Sequence, residues 1–403
     1  MITRRAGISG GIALALASSR PGSAAETPGV TDTEIKIGNT HPYSGPASAY
    51  GVGGRMDAAF FKMVNDQGGV AGRKINFISY DDGYSPPRTV EQTRRLVEQD
   101  GVALIFSPLG TPTNSAIFRY LNEKKVPHLF VASGADKWGD SKTHPWTIGF
   151  GPSYRTEAQI YAKYILRTKP NAKIAVFYQN DDFGKDYPDG LRDVLGKDWD
   201  KHVIATATYE VTDATIDSQL VTLQASGADV LFSAPTPKFA AMMIRKLRDL
   251  DWHPLTIMSN VSSSVGAVMR PAGPENGIGI ISTAYLKDGS DPKWDNDPGM
   301  QQWRAFMTKY LPGGDVADIN NVYAYAASTT MWQVLKQCDG DFSRENLMKQ
   351  ALNLHDLDLP VSLPGIKVNT SPTNYRPMRA MQLIKWNGST WEHFGSVIEG
   401  SQA

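Results

Sequence analysis

Two acidic pairs, Asp81-Asp82 and Asp181-Asp182, are the first places where this chain could hold a cation or run acid–base chemistry. Each closes an apolar, aromatic-rich run, and at a strand end aspartate commonly satisfies nearby backbone N–H groups instead. The seven histidines are scattered without metal-ligand spacing, and the single cysteine, Cys338, has no partner for a disulfide. Gly51-x-Gly53-Gly54 lacks the GxGxxG spacing of a dinucleotide loop. No G-x-S-x-G nucleophile elbow occurs beyond the N-terminal segment. These residues point away from an enzyme, and neither a cofactor nor a metal is expected.

What remains is chemistry suited to holding a small anion. Gly110-Thr111-Pro112-Thr113-Asn114 ends an apolar run and opens a helix, where unsatisfied N–H groups and the helix dipole favour negative charge. An ordinary capped helix has the same sequence, so the motif alone does not decide. Ala132-Ser133-Gly134-Ala135 follows the next apolar run, and its small residues let backbone donors approach a ligand, although any strand-to-helix turn also needs small residues.

The elements that must position these loops alternate in two halves. Strands are predicted near 34–40, 74–80, 102–106 and 127–131, with helices near 52–67, 87–99 and 113–124 between them. A second set has strands near 173–178, 202–208, 229–233 and 255–258 and helices near 184–195, 214–225 and 237–250. Short apolar runs between longer amphipathic segments argue for buried parallel strands and crossover helices. Thr111-Pro112 and Thr236-Pro237 each read as a cap residue followed by proline at the first helical position. After about residue 277 the alternation changes: a strand at 277–283, helices near 300–310, 320–337 and 343–352, and a hairpin turned at Asn387-Gly388. The chain is expected to cross between lobes near 148–154, 281–285 and 357–363. A hinge of that kind leaves a cleft at the strands' carboxyl ends.

At 403 residues, two lobes are the natural expectation, and 41 basic residues balance 41 acidic ones. That balance gives no electrostatic footprint for nucleic acid. Residues 1–25 carry Arg4 and Arg5, an apolar segment Ala6 to Ala17, and Ser23-Ala24-Ala25, the pattern of a secretory signal peptide. With no cysteine to carry lipid at the mature N-terminus, a free periplasmic protein is expected.

Four stretches resemble the periplasmic solute-binding proteins of ABC importers, of the branched-chain amino-acid (Leu/Ile/Val)-binding type. They are IKIGNTHPYSGPASAYG, DDGYSPPRTVEQTRRLVEQDGVALIFSPLGT, VPHLFVASGA and IAVFYQNDDFGKD, in the family's order and spacing. The resemblance covers essentially the whole mature chain. It implies an α/β fold of periplasmic-binding-protein type I, two doubly wound parallel-sheet lobes joined by a three-stranded hinge. The lobes are expected at 26–149 plus 284–358 and at 150–283 plus 359–403. Implied partners are a small-molecule ligand and membrane permease subunits, and a monomer is expected.

The resemblance also implies site residues. Gly110, Thr111 and Asn114 match the positions that hold a ligand carboxylate, and Ala132, Ser133 and Gly134 the partner loop. Tyr50 matches the pocket-wall tyrosine and Phe183 the second lobe's aromatic position. Tyr43 is a further candidate for the cleft, whereas Trp138 and Tyr154 are expected in the core or on the surface. Val261 stands where the amino-acid binders have an acidic partner for the α-ammonium, Thr236 where they have a tyrosine, and Gly134 where they have a hydroxyl. A buried ammonium without its carboxylate costs several kcal/mol. These departures imply an amine-free ligand with an anionic head and an apolar body, an aromatic or alicyclic carboxylate first. The alternatives are a branched-chain amino acid or amide, or a ligand sensed for a signalling partner.

Overall fold

The computed structural model describes residues 27–400, so the export segment lies outside the described residues. The first lobe is built on β1 (Glu34–His41), β2 (Lys74–Asp81), β3 (Leu104–Phe106), β4 (His128–Val131) and β5 (Thr147–Gly149), all parallel in the order β2-β1-β3-β4-β5. The order reverses between β1 and β3. At such a switch point the loops leaving the strands splay apart and open a crevice. Helix α1 (Val52–Asp66) follows β1, α2 (Pro86–Arg94) follows β2, and α3 (Thr111–Glu123) follows β3. Buried Ile35, Ile37, Leu104 and Phe106 meet Phe60 and Phe61 of α1 in one core. Helices Pro298–Tyr310, Ile319–Gln337 and Arg344–Ala351 return to that same core.

The second lobe is a seven-stranded sheet in the order β12-β11-β10-β9-β8-β6-β7. Its strands are β6 (Ile174–Gln179), β7 (Val203–Tyr209), β8 (Val230–Ala234), β9 (Leu255–Met258), β10 (Ile281–Ala284), β11 (Ala380–Trp386) and β12 (Trp391–Glu399). Strands β7 to β10 run parallel in the sheet, and the hairpin β11–β12 adds the antiparallel edge through Asn387-Gly388. Gly388 sits at φ 100°, as that turn requires. Two helices frame the cleft: α4 (Tyr154–Thr168), capped by the Ser153 hydroxyl, and α5 (Asp182–Leu195), capped by the Asp181 carboxylate.

The final crossing falls later than the sequence implies. Residues 359–378 were expected in the second lobe, but Leu359, Val361, Leu363, Val368, Tyr375 and Met378 are buried in the first lobe's core. Ser362 bridges Leu286, so this segment pairs back on the second crossing before the chain reaches β11. Both Thr-Pro helix starts also differ in detail. Gly110 occupies the cap position ahead of α3. Thr236 does cap its helix position but makes no capping bond, because its hydroxyl is held by Gln179 and Tyr209. Among the described residues no helix is long and apolar enough to cross a membrane.

Candidate ligand-binding site

Loops from both lobes enclose a cavity of about 1080 Å³, counting its open mouth. Most of its lining comes from the carboxyl ends of parallel strands. Tyr50 follows β1, Gly110 and Thr111 follow β3, Ala132 to Gly134 follow β4, and Gly151 to Tyr154 follow β5. From the other lobe, Phe183 follows β6, Thr236 follows β8, Asn260 and Val261 follow β9, and Thr283 to Leu286 end β10.

The lobes meet on both flanks of this cavity. The Tyr50 hydroxyl donates to the Val261 carbonyl at 3.3 Å, and the Ser264 hydroxyl to Asp318 at 3.0 Å. Lys137 pairs with Asp182 at 2.7 Å and Arg270 with Asp315 at 2.9 Å. The conformation is therefore a closed one.

One wall presents hydrogen-bond donors. The Ser133 hydroxyl oxygen accepts from Trp138 Nε1 at 2.9 Å and from the Ala135 N–H at 3.2 Å. Both lone pairs are then occupied, so its proton goes to Thr111 Oγ1, 2.7 Å away. Thr111 keeps its own hydroxyl proton to donate, at the uncapped N-terminus of α3. Gly110 reaches this turn at φ 104°, where a Cβ would meet Thr113 Oγ1 and Tyr84 at 2.6 Å. No Lys or Arg lines the cavity among the described residues, so an anion here would be held by neutral donors and the helix dipole.

Gly134 has a structural cause for its missing side chain. Its carbonyl accepts from the Tyr154 N–H at 2.7 Å, and a Cβ would run into the Pro152 carbonyl and the Tyr154 ring. The first crossing lies directly on this loop, which leaves no room for a hydroxyl-bearing residue.

All the candidate residues except Asn114 and Tyr43 line the cavity. Asn114 is wholly buried beneath the loop: Nδ2 donates to the Pro108 and Gly110 carbonyls at 2.9 and 2.6 Å, and Oδ1 accepts from His128 Nε2 at 2.9 Å. It holds the loop in shape and does not reach the cavity. Burial lowers the His128 pKa to about 3, so that ring is neutral. Tyr43 turns away to Ser79, 2.6 Å from its hydroxyl. Trp138 is buried behind Ser133. Tyr154, expected in the core or on the surface, is buried in the second lobe's core and also lines the cavity, with its ring edge-on to Phe183 at 5.2 Å between centroids.

Of the acidic pairs, Asp81, Asp82 and Asp181 behave as local anchors, whereas Asp182 joins the lobes through Lys137. Asp81 accepts from the Ser44 and Gly83 N–H groups, and Asp181 from those of Phe183 and Gly184. Sequence reasoning missed several lining residues, among them Tyr84, Tyr323, Asp288, Asn320 and His393, and left Tyr285 undecided. It also missed Glu157, buried on α4. Its carboxylate accepts from Tyr161 (2.5 Å), Tyr187 (2.7 Å), Thr283 (2.7 Å) and the Asn260 N–H (2.9 Å), thereby fixing two cavity walls. A glutamate followed by tyrosines four and thirty residues later gives no signal of such a cradle.

A two-lobed α/β clamp with its cavity at the strand ends is the architecture of a solute-binding protein. The chain belongs to the periplasmic binding protein family, whose model matches residues 34–390. It is 26% identical over 364 residues to a Leu/Ile/Val-binding protein homolog 3 of Brucella melitensis, covering 88% of this chain and 92% of that one. Its fold matches a branched-chain amino acid ABC transporter protein of Thermus thermophilus with bound valine, with a TM-score of 0.82 and 13% identity, covering 92% and 97% of the two chains. A fatty acid ABC transporter substrate-binding protein of Thermomonospora curvata matches with a TM-score of 0.76 and 19% identity, covering 93% and 94%.

Proposed function

We propose that this protein is the extracytoplasmic solute-binding component of an ABC importer, and that it captures a small amphipathic carboxylate without an α-amine. The observation that carries this reading is the Ser133–Thr111 hydrogen-bond direction, which leaves the Thr111 hydroxyl with a proton and no protein acceptor beside an uncapped helix start. Such a group favours an anion. Val261 brings no carboxylate side chain to the cavity, and its carbonyl accepts from Tyr50.

Tyr50, Tyr154 and Phe183 supply the apolar wall. Burying a ring of roughly 150–200 Å² contributes about 4–5 kcal/mol. With charge-assisted hydrogen bonds and association costs included, affinity falls in the micromolar range. The ligand docks on the first lobe, the second closes over it, and the closed form is the one a membrane permease recognises, so the ligand acts by shifting a population. The fatty acid binder of Thermomonospora curvata supports an amphipathic acid. The Thermus thermophilus protein with bound valine supports a second reading, a branched-chain amino acid.

A thermal-shift panel separates the two. Stabilisation by 3-phenylpropanoate and none by leucine or valine is the expected result; the reverse pattern refutes a ligand without an α-amine.

A further inference from the structure

The cavity has a second polar face that is not needed to hold a carboxylate. It is formed by Asp288 in the loop after β10, His393 on β12, and Asn320 in the first turn of helix Ile319–Gln337. The hydrogen bonds of each residue determine what it has left to offer.

Asp288 Oδ1 accepts from both the N–H and the hydroxyl of Ser290, at 2.8 and 2.7 Å, which leaves Oδ2 free. The Gln382 amide NH₂ is committed to the Gly395 carbonyl at 2.8 Å, so its oxygen faces His393 Nδ1 at 3.1 Å. The His393 proton therefore sits on Nδ1, and Nε2 carries a lone pair. Burial lowers the His393 pKa to about 4, so the ring stays neutral. Asn320 donates its NH₂ to Asp318 at 2.8 Å, leaving its amide oxygen. Each residue thus has an acceptor left over, and among the described residues none of these acceptors has a donor. Lys293, the nearby cation, lies 3.7 Å from Asp291 and over the Trp294 ring.

This face lies away from the donor wall. Ser115 of α3 bonds Asp182 at the start of α5, which places the Thr111 end beside β6. Asp288 follows β10, three strand positions from β6, and His393 lies on β12, two further still. At ~4.8 Å between neighbouring strands, the ends of β6 and β10 lie roughly 14 Å apart. An α-amine stays within two bonds of its carboxylate carbon and does not span that gap.

We infer that the ligand carries a hydrogen-bond donor, a hydroxyl or an amine, at the end remote from its carboxylate, and that Asp288, with His393 and Asn320, selects for it. The inference rests on the carboxylate reading above and adds the chemistry of the opposite end. A ligand that fills the cavity without that donor would displace water from three partly exposed acceptors and leave them unpaired, which a cavity built for hydrogen bonding disfavours.

The test uses three acids sharing one scaffold: 3-phenylpropanoate, 3-(4-hydroxyphenyl)propanoate and 3-(4-aminomethylphenyl)propanoate. Each is titrated calorimetrically into the wild type and into Asp288→Asn. Asparagine keeps Oδ1 for Ser290 and turns the free acceptor into a donor. The expected result is that a donor-bearing acid binds at least tenfold more tightly than 3-phenylpropanoate, and that Asp288→Asn removes most of this preference. A larger gain for the amine than for the phenol identifies the donor as cationic and supports the same inference. If all three acids bind alike in both proteins, the distal site is refuted while the carboxylate reading stands. If none binds and leucine does, both are refuted. His393→Phe removes the Nε2 acceptor without touching the Ser290 turn, and an unchanged preference in both variants also overturns the proposal.

Discussion

At the scale of single residues, the direction of one hydrogen bond matters more than the identity of the groups making it. Ser133 holds two N–H donors and hands its proton to Thr111, so Thr111 and not Ser133 is the group with something to give. Thr111→Val keeps the shape and removes that donor. Its expected effect is at least a tenfold loss in calorimetric affinity for 3-phenylpropanoate, with a modest fall in melting temperature because the buried Ser133 hydroxyl loses its acceptor. An unaltered affinity would place the carboxylate elsewhere. The sequence made Thr111, Ser133 and Gly134 legible because glycine and small hydroxyl residues cluster where strands end. Asn114 was misread because an amide beside a helix start serves equally well to brace the loop from below, and only its burial against His128 decides between the roles. Asp288 was not legible at all: in a loop of Asp, Gly, Ser and Pro, a cavity-facing carboxylate looks like any turn former.

At the scale of elements, the sheets and crossover helices were readable because buried parallel strands leave compact apolar runs between amphipathic stretches. The crossings were harder. Short linking segments have no periodicity to report which way a side chain faces, so Tyr154 reads as core or surface and Tyr285 stays undecided until the cavity is seen. The same weakness put residues 359–378 in the wrong lobe, since an irregular segment packs wherever its apolar side chains find cover. Glu157 ties these parts together by joining α4, the end of β10 and the turn at Asn260. Glu157→Gln presents an NH₂ to groups that are themselves donors. Leaving one of them unsatisfied should destabilise the protein by about 1–3 kcal/mol in denaturant titrations. A variant as stable as the wild type would mean that water or rearranged hydroxyls replace the lost acceptor.

At the scale of the molecule, apolar packing runs from one lobe into the other where Phe118, Val131, Ala135 and Trp138 join the second lobe's core, and ion pairs add to closure at the margin. Lys137–Asp182 and Arg270–Asp315 are partly exposed, and pairs of this kind are each worth about 0–1 kcal/mol. They bias closure without locking it, as reversible capture requires. Replacing both Lys137 and Arg270 by alanine should weaken calorimetric ligand affinity by less than about tenfold, and should increase the radius of gyration measured by X-ray scattering without ligand. A loss of a hundredfold or more would show that these flanks, and not the cavity, dominate binding.

The single thiol has a practical corollary. Cys338 is buried at the end of helix Ile319–Gln337, and burial pushes its pKa up to about 12, so in the native protein it is shielded and almost wholly protonated. In an oxidising compartment it becomes reactive only when the first lobe comes apart, and the nearest available sulfur then belongs to another molecule. Covalent dimers on a non-reducing gel would therefore record how often the native core has opened.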